Sequence, residues 1–372
     1  MTYLSRKIEH AHVVWFKASN QWVQFDEQQW LIFCFYNEGL SDKEAVEKLC
    51  ETSALTRVQA KKIVDSLFNS IGNLFNPSFK LPNFSAINPK IREYSLPKKK
   101  TRHYSYLNKP FSITFGTPFL EQYIHLPLAH LETESVDIKA LSLEVFKFDD
   151  SYILRENGMG GECLTTEEPG QIKRLLYIAL ANLFYEKGND QWLTFIHGSA
   201  VIRNNRLLVL TSSGGSGKST MAGLLLNHGF EFYSDDFLPV DTKTRKAYPF
   251  PAALCIKNDA IEMLELQGLS FSHKTSKHTA YANTLRSKPE AATGEIKNVV
   301  FITYNKGTDI IFKPISQLEA LKQFFQEAWV GDDMQRAEIF IDWFTKLSFY
   351  KLEYGNSPKA IETLKNLMDK GE

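Results

Sequence analysis

The sequence predicts an α/β protein in which a small α+β domain precedes a larger domain with a mixed β-sheet. Three observations support this prediction. A glycine-rich turn, TSSGGSGKST at residues 211–220, separates a strand-like run from a helix-like run. Directly before it, two β-rich runs are joined by a hairpin signal, which adds an antiparallel strand to the sheet. A proline-rich stretch over residues 76–103 divides the chain in two.

The composition of the chain excludes several classes of protein. Its 372 residues are enough for about two domains, each with a core of its own. The 43 basic residues balance the 43 acidic ones, so no overall positive charge would attract nucleic acid or an anionic membrane. The longest apolar runs, such as WLIFCFY at residues 30–36, fall short of the roughly 20 residues that span a bilayer. We therefore expect no nucleic-acid partner and no membrane partner.

The cysteines and the first residues bear on where the protein works. The four cysteines are scattered, without a CxxC pair or a nearby histidine at zinc-site spacing, which predicts neither a zinc site nor a disulfide framework. The amino-terminal residues contain no apolar segment of signal-peptide length. We expect a cytoplasmic protein with reduced thiols. The oligomeric state stays open, with a homo-oligomer as one option.

Residues 1–78 are expected to form the small domain. HVVWFKASNQWVQF, at residues 12–25, shows strand-like alternation, and SNQ supplies a turn signal between two strands. Ser41 and Glu44 have the spacing of a capping box, which predicts that a helix begins there. LTRVQAKKIVDSLFNSIGNLF then predicts a second amphipathic helix. Strands followed by such a helix pair are common in winged-helix folds.

Residues 79–105 are expected to be a linker, because their prolines and the basic run KKKTRH show little periodicity. The larger domain then spans residues 106–372. Its first half has strand-like runs, SVDIKALSLEVFKF and SYILRE, and a helix-like run, PGQIKRLLYIALANLFYEKGN. NGMGGE at residues 157–162 is interpreted as a hairpin loop and not as a second phosphate loop, since no Lys-Ser pair follows it.

The glycine-rich turn has the parts of a nucleotide-binding P-loop. The strand RLLVL leads into it, and the helix STMAGLLLNHG follows, with Gly229 suited to a left-handed end. Lys218 can reach the β- and γ-phosphates, and Ser219 can bind Mg²⁺. Ser212 stands where the GxxxxGK[ST] pattern begins with glycine. The other residues expected to contact the nucleotide are Gly214, Gly215, Ser216, Gly217 and Thr220.

Two neighbouring segments supply partners for this turn. TFIHGSAVIRNNRLLVL contains two β-rich runs joined at residues 203–206, so the P-loop strand is expected to be antiparallel to its predecessor. His197 lies in that preceding strand, where it could hydrogen-bond an aspartate. FEFYSDDFLPV predicts a strand beside the P-loop strand that ends in Asp235 and Asp236. Since side chains alternate along a strand, one carboxylate could serve Mg²⁺ and the other the acceptor hydroxyl.

The stretch IHGSAVIRNNRLLVLTSSGGSGKSTMAGLLLNHGFEFYSDD resembles the catalytic core of the HPr kinase/phosphorylase family and its peptide-modifying relatives. The resemblance covers the His-Gly pair, the glycine turn, the glycine after the helix and the Asp-Asp pair. It implies ATP and Mg²⁺ as cofactors and Lys218 as the residue that binds the nucleotide phosphates. It also implies that Asp235 acts on the acceptor hydroxyl with help from His197, and that Asp236 and Ser219 hold Mg²⁺.

Other positions depart from the HPr kinase pattern or extend it. Thr220 stands where bacterial HPr kinases carry a metal-associated glutamate, and the later glycine-rich signature of that family is not found. Neither HPr itself as acceptor nor the reverse phosphorylase activity is therefore expected. YPFPAALCIKN is similar to the HPr-kinase-related group found with peptide-modification clusters, and its Lys257 is either a phosphate contact or a surface lysine.

The first 78 residues resemble PqqD-like peptide-recognition domains, which bind a leader peptide as an additional strand. With the P-loop pattern, this resemblance predicts an ATP- and Mg²⁺-dependent kinase that phosphorylates a hydroxyl group on a captured peptide or protein. The expected acceptor is the hydroxyl of a serine. A ribosomally made precursor peptide is one such substrate. Two alternatives stay open: a small-molecule kinase whose first domain serves assembly, and a nucleotide-gated regulatory protein with a degenerate site, which the departures at Ser212 and Thr220 would explain.

Overall fold

The computed structural model describes residues 2–77, 89–135, 140–158, 160–204, 206–275, 278–283 and 293–369, and within these ranges the protein is α/β with mixed sheets. The α-helices are α1 Glu27–Asn37, α2 Asp42–Thr52, α3 Arg57–Phe75, α4 Pro89–Arg92, α5 Pro118–Leu128, α6 Pro169–Tyr185, α7 Lys218–Leu226, α8 Ala260–Leu266, α9 Gln317–Glu327, α10 Met334–Phe344 and α11 Ser357–Asp369. The strands are β1 Tyr3–Ile8, β2 Ala11–Phe16, β3 Gln21–Phe25, β4 Lys100–Tyr106, β5 Lys109–Phe115, β6 Glu132–Thr133, β7 Leu141–Phe148, β8 Ser151–Glu156, β9 Cys163–Thr166, β10 Trp192–Ile196, β11 Gly198–Arg203, β12 Arg206–Thr211, β13 Glu231–Ser234, β14 Leu238–Asp241, β15 Lys246–Ala247, β16 Leu254–Lys257, β17 His273–Thr275, β18 Thr279–Ala282, β19 Gly294–Tyr304, β20 Ile310–Pro314, β21 Ala328–Val330 and β22 Ser348–Tyr354.

The chain folds into two compact units. The first contains the described residues of 1–83, 317–321 and 330–345, and the second those of 84–316, 322–329 and 346–372. The expected boundary at residue 78 lies near the end of the first range of unit one. Two later segments, expected within the domain 106–372, instead belong to unit one. No helix in the described ranges is both long enough and apolar enough to cross a bilayer.

Unit one has a three-stranded antiparallel sheet, β1-β2-β3, followed by helices α1, α2 and α3. The predicted strands β2 and β3 and the capping box at the start of α2 are confirmed. Neither β1 nor α1 was predicted from the sequence. The apolar run WLIFCFY is helical because Asp26 caps its first turn and Gln29 completes a capping box. Its residues Ile32, Phe33 and Phe35 are buried.

Helix α10 covers a face of this sheet. Neighbouring residues of a strand point to opposite faces, and Val23 packs into the cluster with α1 and α3, whereas the Trp22 ring lies 5.6 Å from the Phe340 ring. An ion pair of 2.6 Å between Arg6 and Asp342 adds a polar contact. The sheet therefore has helices packed on both faces, and residues far along the chain supply one of the two.

The range 79–105 differs from the expected linker. Residues 78–88 lie outside the described part, but β4 begins at Lys100 and pairs with β5 along its whole length. The lysine and the arginine of this strand, Lys100 and Arg102, form ion pairs with carboxylates. Arg102 donates to Glu121 and Glu132, and Thr101 shares a 2.9 Å hydrogen bond with Thr114. These cross-element partners, which low periodicity cannot reveal, make the segment part of unit two.

The first sheet of unit two has the order β6-β4-β5-β7-β8-β9. Only β5 and β7 run parallel among its described pairs. Helix α6 packs its buried residues, Ile172 and Leu176 among them, against the apolar side chains of this sheet. The segment 157–162 joins the antiparallel strands β8 and β9, as expected for a hairpin loop, although Met159 lies outside the described residues.

The second sheet of unit two is mixed and has ten strands, with the main order β13-β11-β12-β19-β15-β14-β10-β21 and β22 paired with β19 and β20. Strand β12 is antiparallel to β11, which confirms the predicted hairpin, and parallel to β19. Asn205 of the hairpin lies outside the described residues. Strand β13 was expected beside β12, but it pairs with β11 at the sheet edge instead. Strands β11 and β19 occupy the two positions next to β12, so β13 pairs with the outer edge of β11.

Candidate functional site

The glycine loop, residues 212–217, joins β12 to α7 at an end of the ten-stranded sheet. Gly215 and Gly217 have φ angles of +81° and +97°, a region that favours glycine. At Gly217 a Cβ would also lie 3.3 Å from both the Cβ of Tyr304 and the hydroxyl of Tyr354. The first backbone N–H groups of α7, which begins at Lys218, have no partners within the helix. Such a turn is suited to an anion.

Ser212 is compatible with this loop although the usual pattern has glycine there. It is not among the described residues with positive φ, so its backbone does not require glycine. Its carbonyl oxygen accepts a 2.6 Å hydrogen bond from Nζ of Lys218, and the carbonyl of Ser213 accepts another of 3.1 Å. The loop thus uses the backbone at position 212, and a serine side chain does not disturb that contact.

The side chain of Lys218 is partly shielded from solvent and lies close to carboxylates. Burial lowers the pKa of its ammonium group, while Glu327, Asp235 and Asp236 act in the opposite direction. Lys257, exposed at the end of β16, is near enough to lower that pKa further. The lysine is therefore a cation whose desolvated charge an incoming anion would stabilise.

Ser216 offers an observation that tests whether a phosphate fits the glycine loop. Its backbone carbonyl accepts a 2.9 Å hydrogen bond from the N–H of Tyr304, but its buried hydroxyl has no partner among the residues that the structure describes. A buried hydroxyl without a partner costs free energy, about 1–3 kcal/mol. A phosphate oxygen in the loop would accept from this group. Thr220 lies in the first turn of α7, next to Ser219.

Asp235 follows strand β13 and is almost completely buried. Its Oδ1 accepts hydrogen bonds from the hydroxyls of Ser199 and Ser219, at 2.5 and 3.0 Å, and its Oδ2 accepts one of 3.0 Å from the N–H of Cys255. Burial raises the pKa of this carboxyl, and the neighbouring Asp236 adds to the effect. The structure thus joins Ser219 to Asp235, whereas the family resemblance implied that Ser219 acts together with Asp236.

Asp236 turns away from Asp235. Its φ of +69° takes the backbone out of the strand conformation, which aspartate tolerates better than most residues. Its Oδ2 accepts a hydrogen bond from Nζ of Lys173, and its Oδ1 lies 3.1 Å from Nδ1 of His197. Burial alone would raise its pKa, but Lys173 and His197 outweigh burial and hold the pKa well below its ordinary range. Asp236 is therefore a firmly ionised carboxylate.

His197 stands between β10 and β11, with Asp236 on one side of its ring. Its Nδ1 lies 3.1 Å from the backbone oxygen of Asp236 as well as from the carboxylate, so Nδ1 carries a proton. Its Nε2 lies on the opposite side, 4.0 Å from Oε2 of Glu327. The hydrogen bond to Asp236 is the main cause that raises the pKa of this histidine.

Gly198 keeps the chain after His197 close to strand β12. A Cβ at this position would lie 2.6 Å from the carbonyl oxygen of Leu210, closer than real Cβ atoms approach an oxygen. The glycine therefore lets β11 pair with β12 directly after the histidine. This close pairing places His197 at the same sheet end as the glycine loop.

A cleft of about 560 Å³ opens beside His197 and Asp236. Lys173, Arg174, Glu168 and Glu327 supply its other charged groups. Six aromatic side chains also line it: Tyr123, Tyr177, Phe195, Phe237, Phe325 and Trp329. The site thus has two compartments: the glycine loop with Asp235, and the cleft with Asp236.

Sequence reasoning missed three residues of this site. Ser199 could have been found, because it lies two residues after His197 and so on the same face of an extended chain. Lys173 gave no signal: it is a single lysine in α6, 63 residues before its partner Asp236. Glu327, whose carbonyl accepts a 2.6 Å hydrogen bond from the N–H of His197, lies at the end of α9 and gave none either.

The oxygen donors at the glycine loop fit a magnesium ion. Among the described residues, no group of three or more His, Cys, Asp or Glu side chains could hold a metal ion. The loop instead offers one serine hydroxyl and one carboxylate, Ser219 and Asp235. Mg²⁺ is commonly bound by one or two such protein oxygens, with phosphate and water completing its six ligands.

Two comparisons with known proteins gave no match. No protein-family model matches the chain, and no curated protein shows a significant match to it. The geometry of the site is therefore the main support for a function.

Proposed function

We propose that the protein is a Mg²⁺-dependent kinase that transfers the γ-phosphoryl group of ATP to an alcohol. One observation carries the proposal: the adjacent carboxylates of Asp235 and Asp236 serve adjacent compartments. Asp235 contacts the Ser219 hydroxyl at the glycine loop, and Asp236 contacts His197 at the cleft. Phosphoryl transfer needs this combination, a place for metal and phosphate beside a place where an acceptor hydroxyl loses its proton.

At the glycine loop, Lys218, the Ser216 hydroxyl and the first amides of α7 would hold the phosphates, and Ser219 with Asp235 would hold Mg²⁺. Bound ATP with Mg²⁺ supplies the phosphoryl group and neutralises its developing charge. Burial raises the pKa of Asp235, and the same burial strengthens its attraction for a divalent cation. This assignment gives Asp235 the metal role that the family resemblance implied for Asp236.

At the cleft, we assign His197 as the base. Its Nδ1 is directed at Asp236, so its Nε2, when unprotonated, can take the proton of an acceptor hydroxyl. Asp236 itself is a weak proton acceptor, because Lys173 and His197 hold its pKa low. Asp235 is a poorer candidate, since three donors already occupy its two oxygens. Asp236 is thus a positioning residue that orients the imidazole and stabilises its charge.

The two units suggest how substrate capture and catalysis are divided. Strand β12, the glycine loop and helix α7 support an HPr-kinase-like P-loop domain in unit two, with the antiparallel neighbour β11. The three-stranded sheet and capped helices of unit one support a winged-helix-like, PqqD-like domain that captures a peptide or protein. The four free cysteines are consistent with action in the cytoplasm.

A small-molecule kinase is the second candidate. The cleft volume of about 560 Å³ lies within the range of small-ligand sites. A degenerate, regulatory site has less support, because Ser212 preserves the carbonyl that Lys218 uses.

Transfer of phosphate from radiolabelled ATP tests the proposal. The acceptors are a library of serine-containing peptides and a set of small hydroxylated metabolites, each with Mg²⁺ or with a chelator. We expect Lys218→Ala to abolish labelling and the exposed-site control Lys246→Ala to retain it. The proposal fails if the wild-type protein labels no acceptor, or if Lys218→Ala labels as well as the control.

A further inference from the structure

Arg174 is a cation of the cleft that has no partner among the described residues. It lies on helix α6, directly after Lys173, and lines the cleft with His197 and Asp236. In the part of the chain that the structure describes, Arg174 makes no hydrogen bond, ion pair or ring contact. Although its side chain is exposed, surrounding protein lowers the pKa of its guanidinium. The cleft therefore holds a guanidinium whose donors are available to a ligand.

The other charged groups of the cleft are already engaged. Lys173 is bound to Asp236 and lies over the rings of Tyr123 and Tyr177, 5.3 Å from each centroid. Glu168 accepts a 3.1 Å hydrogen bond from the amide of Gln171. Arg174 thus differs from Lys173, the neighbouring cation, in having no partner among the described residues.

We propose that Arg174 binds an anionic group of the acceptor, so that the phosphorylated alcohol carries a carboxylate. This inference rests on the proposed kinase activity, because it places the reacting hydroxyl at His197. A planar guanidinium presents paired N–H donors that match the two oxygens of a carboxylate or phosphate. The aromatic walls would contact the carbon skeleton between the two groups. Hydroxyl, skeleton and anion then each have a defined place.

Binding measurements with matched probes test this role. The full-length protein, with a non-hydrolysable ATP analogue and Mg²⁺, is titrated with capped Ala-Ala-Ser-Glu-Ala and Ala-Ala-Ser-Gln-Ala, and separately with glycerate and glycerol. The peptide pair tests an anion from a neighbouring acidic residue, and the small pair tests an anion on a free hydroxy acid. We expect the wild-type protein to bind the anionic member of one pair roughly 10- to 100-fold more tightly.

Variants assign that preference to one side chain. Arg174→Gln should abolish it, Arg174→Lys should retain part of it, and the exposed control Arg245→Gln should leave it unchanged. The inference is overturned if the wild-type protein prefers neither anionic probe, or if Arg174→Gln keeps the preference. A preference that Arg174→Gln removes, in a protein that never transfers phosphate, would uphold the anion site and overturn the kinase. Phosphate transfer without an Arg174-dependent preference would uphold the kinase and overturn the anion site.

Discussion

The hydroxyl of Ser219 lies 3.0 Å from Oδ1 of Asp235, and this contact separates the roles of two adjacent aspartates. Asp235 faces the glycine loop, while Asp236, with a φ of +69°, faces His197 and Lys173. The chain thereby supplies a carboxylate to each of two compartments from consecutive positions. The predictions below follow from that separation and from the packing that maintains it.

Removing the charge of Asp235 should weaken the magnesium dependence of nucleotide binding. In Asp235→Asn the amide can still pair with Ser199, Ser219 and the N–H of Cys255, so the fold should survive, but an anionic ligand for Mg²⁺ is lost. We expect Mg²⁺ to tighten ATP binding in the wild-type protein. In Asp235→Asn we expect this tightening to be roughly tenfold smaller. ATP titrations with and without Mg²⁺ measure the effect.

Asp236→Asn is the matched control for this experiment. It should keep the magnesium effect and slow phosphoryl transfer without abolishing it, since it disturbs His197 instead of the proposed metal ligands. If Asp236→Asn loses the magnesium effect and Asp235→Asn keeps it, the metal role belongs to Asp236 as the family resemblance implied.

The pH profile of transfer should report the pair His197 and Asp236. Asp236 raises the pKa of His197 above its ordinary 6.5, so the unprotonated base forms only at higher pH. We expect kcat/KM to rise with pH along a limb centred above 6.5. Without the carboxylate the imidazolium is less stable, so in Asp236→Asn the limb should move to lower pH. A wild-type limb that persists unchanged in both His197→Gln and Asp236→Asn would exclude His197 as the base.

Loss of Lys173 should destabilise the protein at neutral pH. In Lys173→Met the ionised Asp236 loses its cation, at a cost of about 1–3 kcal/mol, less than for a fully buried pair because water reaches part of Asp236. A lowered carboxyl pKa contributes stability above the unfolded-state pKa, and that contribution is lost as the pH falls through the folded-state pKa. The destabilisation by Lys173→Met should therefore shrink in acid.

Urea unfolding at neutral and acidic pH measures this difference. Lys147→Met is the control, because Lys147 forms only an exposed contact of 3.9 Å with Asp150. Equal destabilisation by Lys173→Met across the whole pH range would show that packing, and not the ion pair, causes the loss.

Local pattern was enough to predict much of the site, because its main parts are contiguous in the chain. Strand β12, the glycine loop and helix α7 follow one another, and the hairpin with β11 needs only a short turn. That Asp235 and Asp236 diverge also follows from alternation along a strand. Which of them meets Ser219 does not, because it depends on the pairing of β13 with β11 and on the backbone of Asp236.

Contacts between distant segments account for what the sequence could not predict. The partners Lys173 and Asp236 come from a helix and from a strand end, and neither position carries a pattern that points to the other. From the sequence alone, Arg102 belongs to a basic linker. Its partners Glu121 and Glu132 lie far along the chain and become apparent only in the structure. In unit one, helix α10 covers a sheet formed more than three hundred residues earlier in the chain, as the contact between Arg6 and Asp342 shows.

Enlarging Gly198 should destabilise unit two and displace His197. In Gly198→Ala the new Cβ would meet the carbonyl oxygen of Leu210 at 2.6 Å, so β11 must move away from β12. Strain of this kind costs about 1–3 kcal/mol. The midpoint temperature of thermal unfolding and the rate of phosphoryl transfer should both fall. Gly307→Ala is the control, since its Cβ would meet only Asn305 at an ordinary 3.6 Å. Unchanged stability in Gly198→Ala would show that the strands tolerate a wider spacing here.

Helix α10 should be required for the stability of unit one. Phe340 is fully buried, and its ring lies 5.6 Å from that of Trp22. We expect Phe340→Ala to destabilise the protein by about 3–5 kcal/mol, because it leaves a cavity under the sheet. Phe119→Ala is the control, since Phe119 is 53% exposed.

Deleting residues 1–78 would likewise uncover α10, so a truncated chain should aggregate. Peptide capture should therefore be tested with substitutions in the full chain. A stable, monomeric truncated protein would contradict this role of α10.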